Sequence, residues 1–242
     1  MVEIFLVFIM KGLIMWKDAY SVQGSARDFM YKVYGWMSVA LVVTASVAYY
    51  VATTPAVYTT LFKSPGLLLM IMLVQFGIVI FLQAKLKDLN YTGAVSAFLI
   101  YAALTGVTLS SILLVYTFES VFLAFAITAG MFSATALYGY VTDADLSSMG
   151  NILLMGLWGL IIAMFANMWF QSSAMQYWIS LAAVGIFTLL TAYDSQKIKE
   201  LGQSLYTDTD TRAKIAVIGA LTLYLDFINL FINLVRLFGK KK

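Results

Sequence analysis

No charged residue falls between Asp145 and Asp194. A soluble core helix does not stay uncharged over such a length, whereas two bilayer-spanning helices joined by a short turn require it. Apolar runs near the roughly 20 residues needed to cross a bilayer recur seven times, at 33–54, 66–83, 94–116, 120–140, 149–170, 177–193 and 217–238. Charged residues make up 11% of the chain, against about 25% in soluble domains. The connections are short: Pro55 to Pro65 closes the first pair, LKDLN (86–90) the second, and QSSAMQ (171–176) follows the fifth run. Short loops force antiparallel neighbours, so residues 1–242 read as a single polytopic membrane domain, all-α, with 1–32 as an amino-terminal segment. The first fifteen residues, MVEIFLVFIMKGLIM, are broken by Lys11 and too short to span. They fit either an interfacial segment or a start upstream of a natural beginning at Met15.

The placement of lysine and arginine sets orientation. Lys11, Lys17, Arg27, Lys32, Lys85, Lys87, Lys197, Lys199, Arg212 and Lys214 would share one side, against Lys63 on the other, ten to one. The amino terminus is therefore expected in the cytoplasm. Arg236 and Lys240 to Lys242 would then lie outside, so the seventh run either exits or re-enters; the counts favour seven full spans.

Asp226 stands in the last apolar run, within LYLDFINLF (223–231), and Asp194 closes the run before it. A carboxylate at bilayer depth is costly, and faces the bundle interior or a polar path. Along the seventh run Thr222, Asp226, Asn229, Asn233 and Arg236 are spaced 4, 3, 4 and 3 apart, which at 100° per residue confines them to an arc of roughly 80°. Such a stripe cannot face lipid, so the seventh helix is predicted to be central, with all five side chains turned inward and Arg236 near Glu119. Asn229 and Asn233 could equally serve as interhelical hydrogen-bonding glue. In the second run Gln75, Gln83 and Lys85 could line an interior path, although Lys85 could also snorkel. Ala126, Gly130 and Ala134 in the fourth run have the spacing that lets helices approach closely. Asp143 and Asp145 are expected to be solvated.

There is no cysteine and no histidine. That excludes disulfides, zinc catalysis and histidine pH switches, and leaves oxygen ligands that suit hard cations such as calcium. The net charge of +3 gives no reason to expect nucleic acid. A retinal photoreceptor needs a lysine in the last helix, where none precedes Lys240. An intramembrane serine protease needs the missing histidine, and the motifs of paired-aspartate proteases are absent.

YDSQ (193–196) followed by KIK, LYLDFINLF (223–231), TGVTLSSILLVYT (105–117) and TAGMFSATALYGYVT (128–142) occur in the order found in one family. From about Arg27 to Phe238 the chain resembles the Bax inhibitor-1 (transmembrane Bax inhibitor motif) family, in the manner of its bacterial members. The resemblance implies seven helices, six around a central carboxy-terminal one, and a pH-sensitive calcium leak controlled by two aspartates. The matching positions are Asp194 and Asp226, which would act as pH sensor and calcium ligands, with no tightly bound cofactor and no enzymatic activity. A further aspartate of the family is replaced here by Thr222, and Gln75 and Lys85 are the nearest counterparts of its second-helix glutamate and arginine. Losing that glutamate leaves fewer anionic ligands for calcium.

Two carboxylates close together in a low-dielectric site cannot both ionise cheaply, so they would share a proton and tie the sixth helix to the seventh. Proton loss or calcium would then bias that contact. The rival readings are a cation/proton exchanger, which the lack of broken helices disfavours, and a non-conducting stress-response protein that binds a membrane partner such as a protease. The bacterial inner membrane is the expected location, ahead of the endoplasmic reticulum.

Overall fold

The computed structural model describes residues 26–85, 89–204 and 209–242. Lys11, Lys17, Lys87 and the alternative beginning at Met15 lie outside them. The described helices are α1 (Ala26–Thr53), α2 (Pro55–Lys63), α3 (Pro65–Ala84), α4 (Tyr91–Val115), α5 (Phe118–Val141), α6 (Ser147–Phe170), α7 (Ser173–Ser204) and α8 (Thr209–Phe238). All but α2 are long and apolar enough to cross a membrane.

Local chemistry explains most of the boundaries. Pro55 and Pro65 each open a helix at its first position, where the missing N–H costs nothing. The stretch between them, expected as a plain loop, forms the short helix α2. Asn90 caps α4 by accepting from Gly93 N at 2.8 Å, and Thr117 caps α5 by accepting from Ser120 N at 3.4 Å. At the end of α6, Gln171 takes a left-handed conformation, φ 49°, and its N–H still reaches Asn167 O at 2.8 Å. That conformation stops the helix and turns the chain into α7.

Three helices outrun their apolar stretches. α1 begins at Ala26 rather than 33, α7 continues to Ser204 rather than stopping at 193, and α8 begins at Thr209 rather than 217. Hydropathy marks where lipid ends, whereas Lys, Arg, Glu and Gln are good helix formers and carry the helix onward. Asp194 therefore lies inside α7, not at its end.

The carboxy-terminal helix is central. In its apolar stretch 83% of residues are buried, against 17–33% in the other six spans. α8 packs closely on α1, α4, α5 and α7, while α3 packs on α4 and α6 on α7. Four spans, not six, make the close wall, and α3 and α6 are outer buttresses. We call proximal the end where α1 and α8 begin, and distal the end where α8 leaves. At the distal end Thr117 N–H donates to Lys240 O at 2.8 Å, Lys242 N–H to Val115 O at 3.0 Å and Lys242 Nζ to Leu113 O at 2.7 Å. The tail is thus stitched to the α4–α5 turn, and α8 is a full span and not a re-entrant one.

The small-residue stripe of α5 faces the other way from the expectation. Ala126, Gly130 and Ala134 are exposed, and nothing lies within 4 Å of a Cβ built on Gly130. The packed face of α5 carries Ala124, Thr128, Phe132, Ala136 and Gly139. A Cβ on Gly139 would collide with the Ala192 carbonyl of α7. Four-residue spacing of small side chains permits close approach but does not choose the face; the large Phe132, packed on Phe227 of α8 at 5.5 Å between ring centroids, chooses it here.

Candidate functional site: the aspartates between α7 and α8

Both aspartates are buried, Asp194 at 2% exposure and Asp226 at 0%. Their relative placement follows from helix register. A Cβ on Gly219 of α8 would lie 3.1 Å from Ile198 of α7, so these two residues stand at one level on facing surfaces. Asp226 is seven residues on from Gly219 and so returns to nearly the same face; Asp194 is four residues back from Ile198, also nearly the same face. At 1.5 Å per residue they lie about 10 Å and 6 Å distal of that level, an axial offset of about 4–5 Å. Both side chains therefore belong to the α7–α8 interface, Asp226 about 26 Å from the start of α8 and Asp194 about 15 Å from the end of α7. Among the described residues no group of three or more acidic or otherwise metal-ligating side chains occurs, so any cation held there has two carboxylates and neutral oxygens to bind it.

The residues after Asp194 lock α7 in place. Ser195 Oγ donates to Ala136 O of α5 at 2.8 Å and lies 3.1 Å from Tyr34 Oη of α1. Gln196 uses both ends of its amide: Nε2 donates to Ala144 O at 2.7 Å and Oε1 accepts from Leu146 N at 2.9 Å. These two backbone groups sit in the α5–α6 turn, so the motif that carries Asp194 also fixes α7 against its neighbours. Asp145 in the same turn is exposed and accepts from Ser147 N at 2.8 Å, which holds its carboxyl below the usual value.

On the other side of Asp226, Tyr224 anchors α8. Thr44 Oγ1 donates to Ala102 O at 2.9 Å, so at its 2.7 Å contact with Tyr224 Oη it accepts. The Tyr224 ring also meets Phe98 and Tyr101 edge-on at 5.6 and 6.0 Å. Thr44→Val removes both hydroxyl bonds and is expected to cost about 2 kcal/mol, read as a lowered midpoint of thermal unfolding in detergent. An unchanged midpoint would mean this junction does not hold α8.

Of the stripe on α8, Thr222, Asn229 and Asn233 are buried as expected. Asn229 Nδ2 and Asn233 Nδ2 donate back to Leu225 O and Asn229 O within their own helix, both at 2.8 Å, so these donors do not act as interhelical glue. Arg236 departs from the expected pairing. It is exposed, and among the described residues it makes no ion pair with Glu119, itself exposed. Its guanidinium faces a cavity of about 290 Å³ at the distal end, shared with Gln75, Thr108 and Ser111.

Gln75 is 1% exposed and donates to Thr105 Oγ1 at 3.0 Å, bonding α3 to α4. Lys85 is exposed at the end of α3, about 15 Å further along the helix. Ten residues of helix separate the two, so they stand at different depths along α3. Gln83 keeps a buried amide with no hydrogen-bond partner among the described residues.

Residues 26–242 match the family described as inhibitor of apoptosis-promoting Bax1. The chain belongs to the Bax inhibitor family. Relatives span it almost end to end: inner membrane protein YbhL of Escherichia coli K12 is 46% identical over 89% of this chain and 93% of its own. A protein of Borreliella burgdorferi is 44% identical over 89% and 93%, and RP147 of Rickettsia prowazekii is 38% identical over 89% and 91%. Ser195, Gln196, Tyr34, Thr44 and Tyr224 were not singled out from sequence as site residues. Their visible signal was a hydroxyl or amide inside an otherwise apolar helix, within or opposite the motifs that gave this Bax inhibitor chain its family resemblance.

Proposed function

We propose that this protein is a calcium leak gated by proton occupancy of the Asp194–Asp226 pair. The observation that carries the proposal is the burial of two carboxylates on facing surfaces of α7 and α8 in a membrane-spanning bundle. One proton shared between them gives a hydrogen-bonded tie that carries a single negative charge in place of two. As pH rises the proton leaves, the like charges repel, and the α7–α8 contact loosens. Calcium competes for the same oxygens, because carboxylates are its preferred ligands. The pair titrates as a unit, so its behaviour belongs to neither residue alone. In this reading the chain carries out no catalysis and needs no resident cofactor. Calcium uptake into liposomes containing the purified protein tests it, with flux expected to rise from acid to alkaline pH. Absence of uptake at every pH would leave partner binding as the function and the pair as a latch.

The proposal places the chain in a bacterial inner membrane with its proximal end in the cytoplasm. Lys32, Lys85, Lys197, Lys199, Arg212 and Lys214 are all at that end, and Lys214 Nζ donates to Leu89 O at 2.9 Å while pairing with Asp210 at 3.3 Å. Because the chain has no cysteine, single cysteines report sidedness cleanly. In intact spheroplasts an impermeant maleimide is expected to label Lys241→Cys and to leave Glu200→Cys unlabelled until the membrane is opened. The reverse pattern would invert the topology.

A further inference from the structure

Between α1 and α5, both packed on α8, runs a groove of about 610 Å³. Its rim at the proximal end is polar, with Arg27, Tyr31 and Tyr140, and its deeper walls are apolar, with Leu41, Phe125 and the floor residue Phe227. From Arg27 to Leu41 it extends about 21 Å along α1 at 1.5 Å per residue, and half of a bilayer's hydrocarbon core is about 15 Å. The groove therefore starts at the interface and ends just past the midplane. Ser38 and Ser133, both exposed, are the small side chains that keep its middle open.

We infer that this groove is a binding site for one anionic phospholipid of the proximal leaflet. Water does not fill an apolar trough at bilayer depth, since it would forfeit its hydrogen bonds there, so an acyl chain must. The depth suits a chain from one leaflet only. The rim selects the headgroup. Arg27 Nε donates to Tyr31 Oη at 3.4 Å, with the guanidinium 5.4 Å from that ring's centre, which leaves its other N–H groups directed to the interface. Lys199 Nζ donates to Tyr140 O at 2.8 Å and lies 5.7 Å from the Tyr140 ring, with further ammonium donors to spare. Arg27 on the α1 wall and Lys199 of α7, held beside Tyr140 of the α5 wall, place two cations about the rim for a lipid phosphate. Asp28, next to Arg27, points about 100° away around α1. The site is independent of the gating proposal, although Phe227, its floor, adjoins Asp226.

Native mass spectrometry of the protein released from vesicles of equal phosphatidylglycerol and phosphatidylcholine tests the site. One phosphatidylglycerol per chain is expected to survive activation that strips phosphatidylcholine. Ser133→Trp fills the groove and should lower that retention about tenfold, the worth of about 1.4 kcal/mol; Ser38→Trp on the opposite wall does the same should the first fail to fold. Arg27→Gln combined with Lys199→Gln should abolish the headgroup preference and leave a lipid bound. Ile152→Trp, on the exposed face of α6, should change nothing. Equal retention of the two lipids by the unaltered protein, or full retention in both groove-filling variants, would overturn the assignment.

Discussion

Asp226→Asn is expected to make calcium permeation nearly independent of pH while the bundle still folds. The substitution keeps size and hydrogen-bonding capacity but removes one charge, so ionisation of Asp194 meets no second carboxylate to repel. A gate linked to one proton changes its open fraction by up to about tenfold per pH unit. Flux through the unaltered protein should approach that slope in the transition region, and flux through the variant should vary by less than about twofold over the same range. Asp194→Asn should behave alike, and the double variant should add little if the two residues titrate as the proposed unit. Calcium-loaded liposomes with a fluorescent indicator provide the measurement. A full pH response in both single variants would place the sensor outside the α7–α8 interface.

Gly139→Val is expected to be the most damaging small substitution in the bundle. The α5 backbone at Gly139 lies directly on the Ala192 carbonyl, and any side chain there meets rigid backbone rather than a flexible neighbour. Overpacking of this kind costs about 1–3 kcal/mol and sometimes more, and here it also pushes α5 away from the Ser195 and Gln196 bonds that hold the Asp194 motif. Gly130→Val, nine residues earlier on the outward face, should shift stability by no more than about 0.5 kcal/mol. Thermal unfolding of the two variants in the same detergent separates them. Equal losses would mean that the Gly139 contact is not tight.

The spans and the central position of α8 were legible because lipid enforces a coarse rule: apolar outside, polar stripes inside. Thr222, Asp226, Asn229 and Asn233 obey it. The failures share a cause, which is that a helix pattern gives angles and depths but not neighbours. Arg236 has the same angular position as the stripe, yet among the described residues it makes no ion pair with the expected Glu119 and lines a cavity with Gln75. Ala126, Gly130 and Ala134 have an interface spacing, yet they are exposed and Gly130 has no neighbour within 4 Å of a Cβ. The clamp around Asp194 was hidden for another reason. Ser195 and Gln196 act on backbone carbonyls and an N–H of α5 and its turn, and backbone partners leave no trace in side-chain identity.

The stitched tail has a consequence for how this bundle moves. α8 is enclosed by α1, α4, α5 and α7 along its length, and its exit is tied to the α4–α5 turn by Thr117, Val115 and Leu113. A rod held on all sides and riveted at its far end cannot slide or turn without unpacking its whole sheath. It is the stator. Any displacement that separates the two carboxylates falls to α7 and must break the Ser195 and Gln196 bonds that fix it to α5 and its turn, so spin labels on α7 and α8 should part at the proximal end while pairs within α4, α5 and α8 keep their distances.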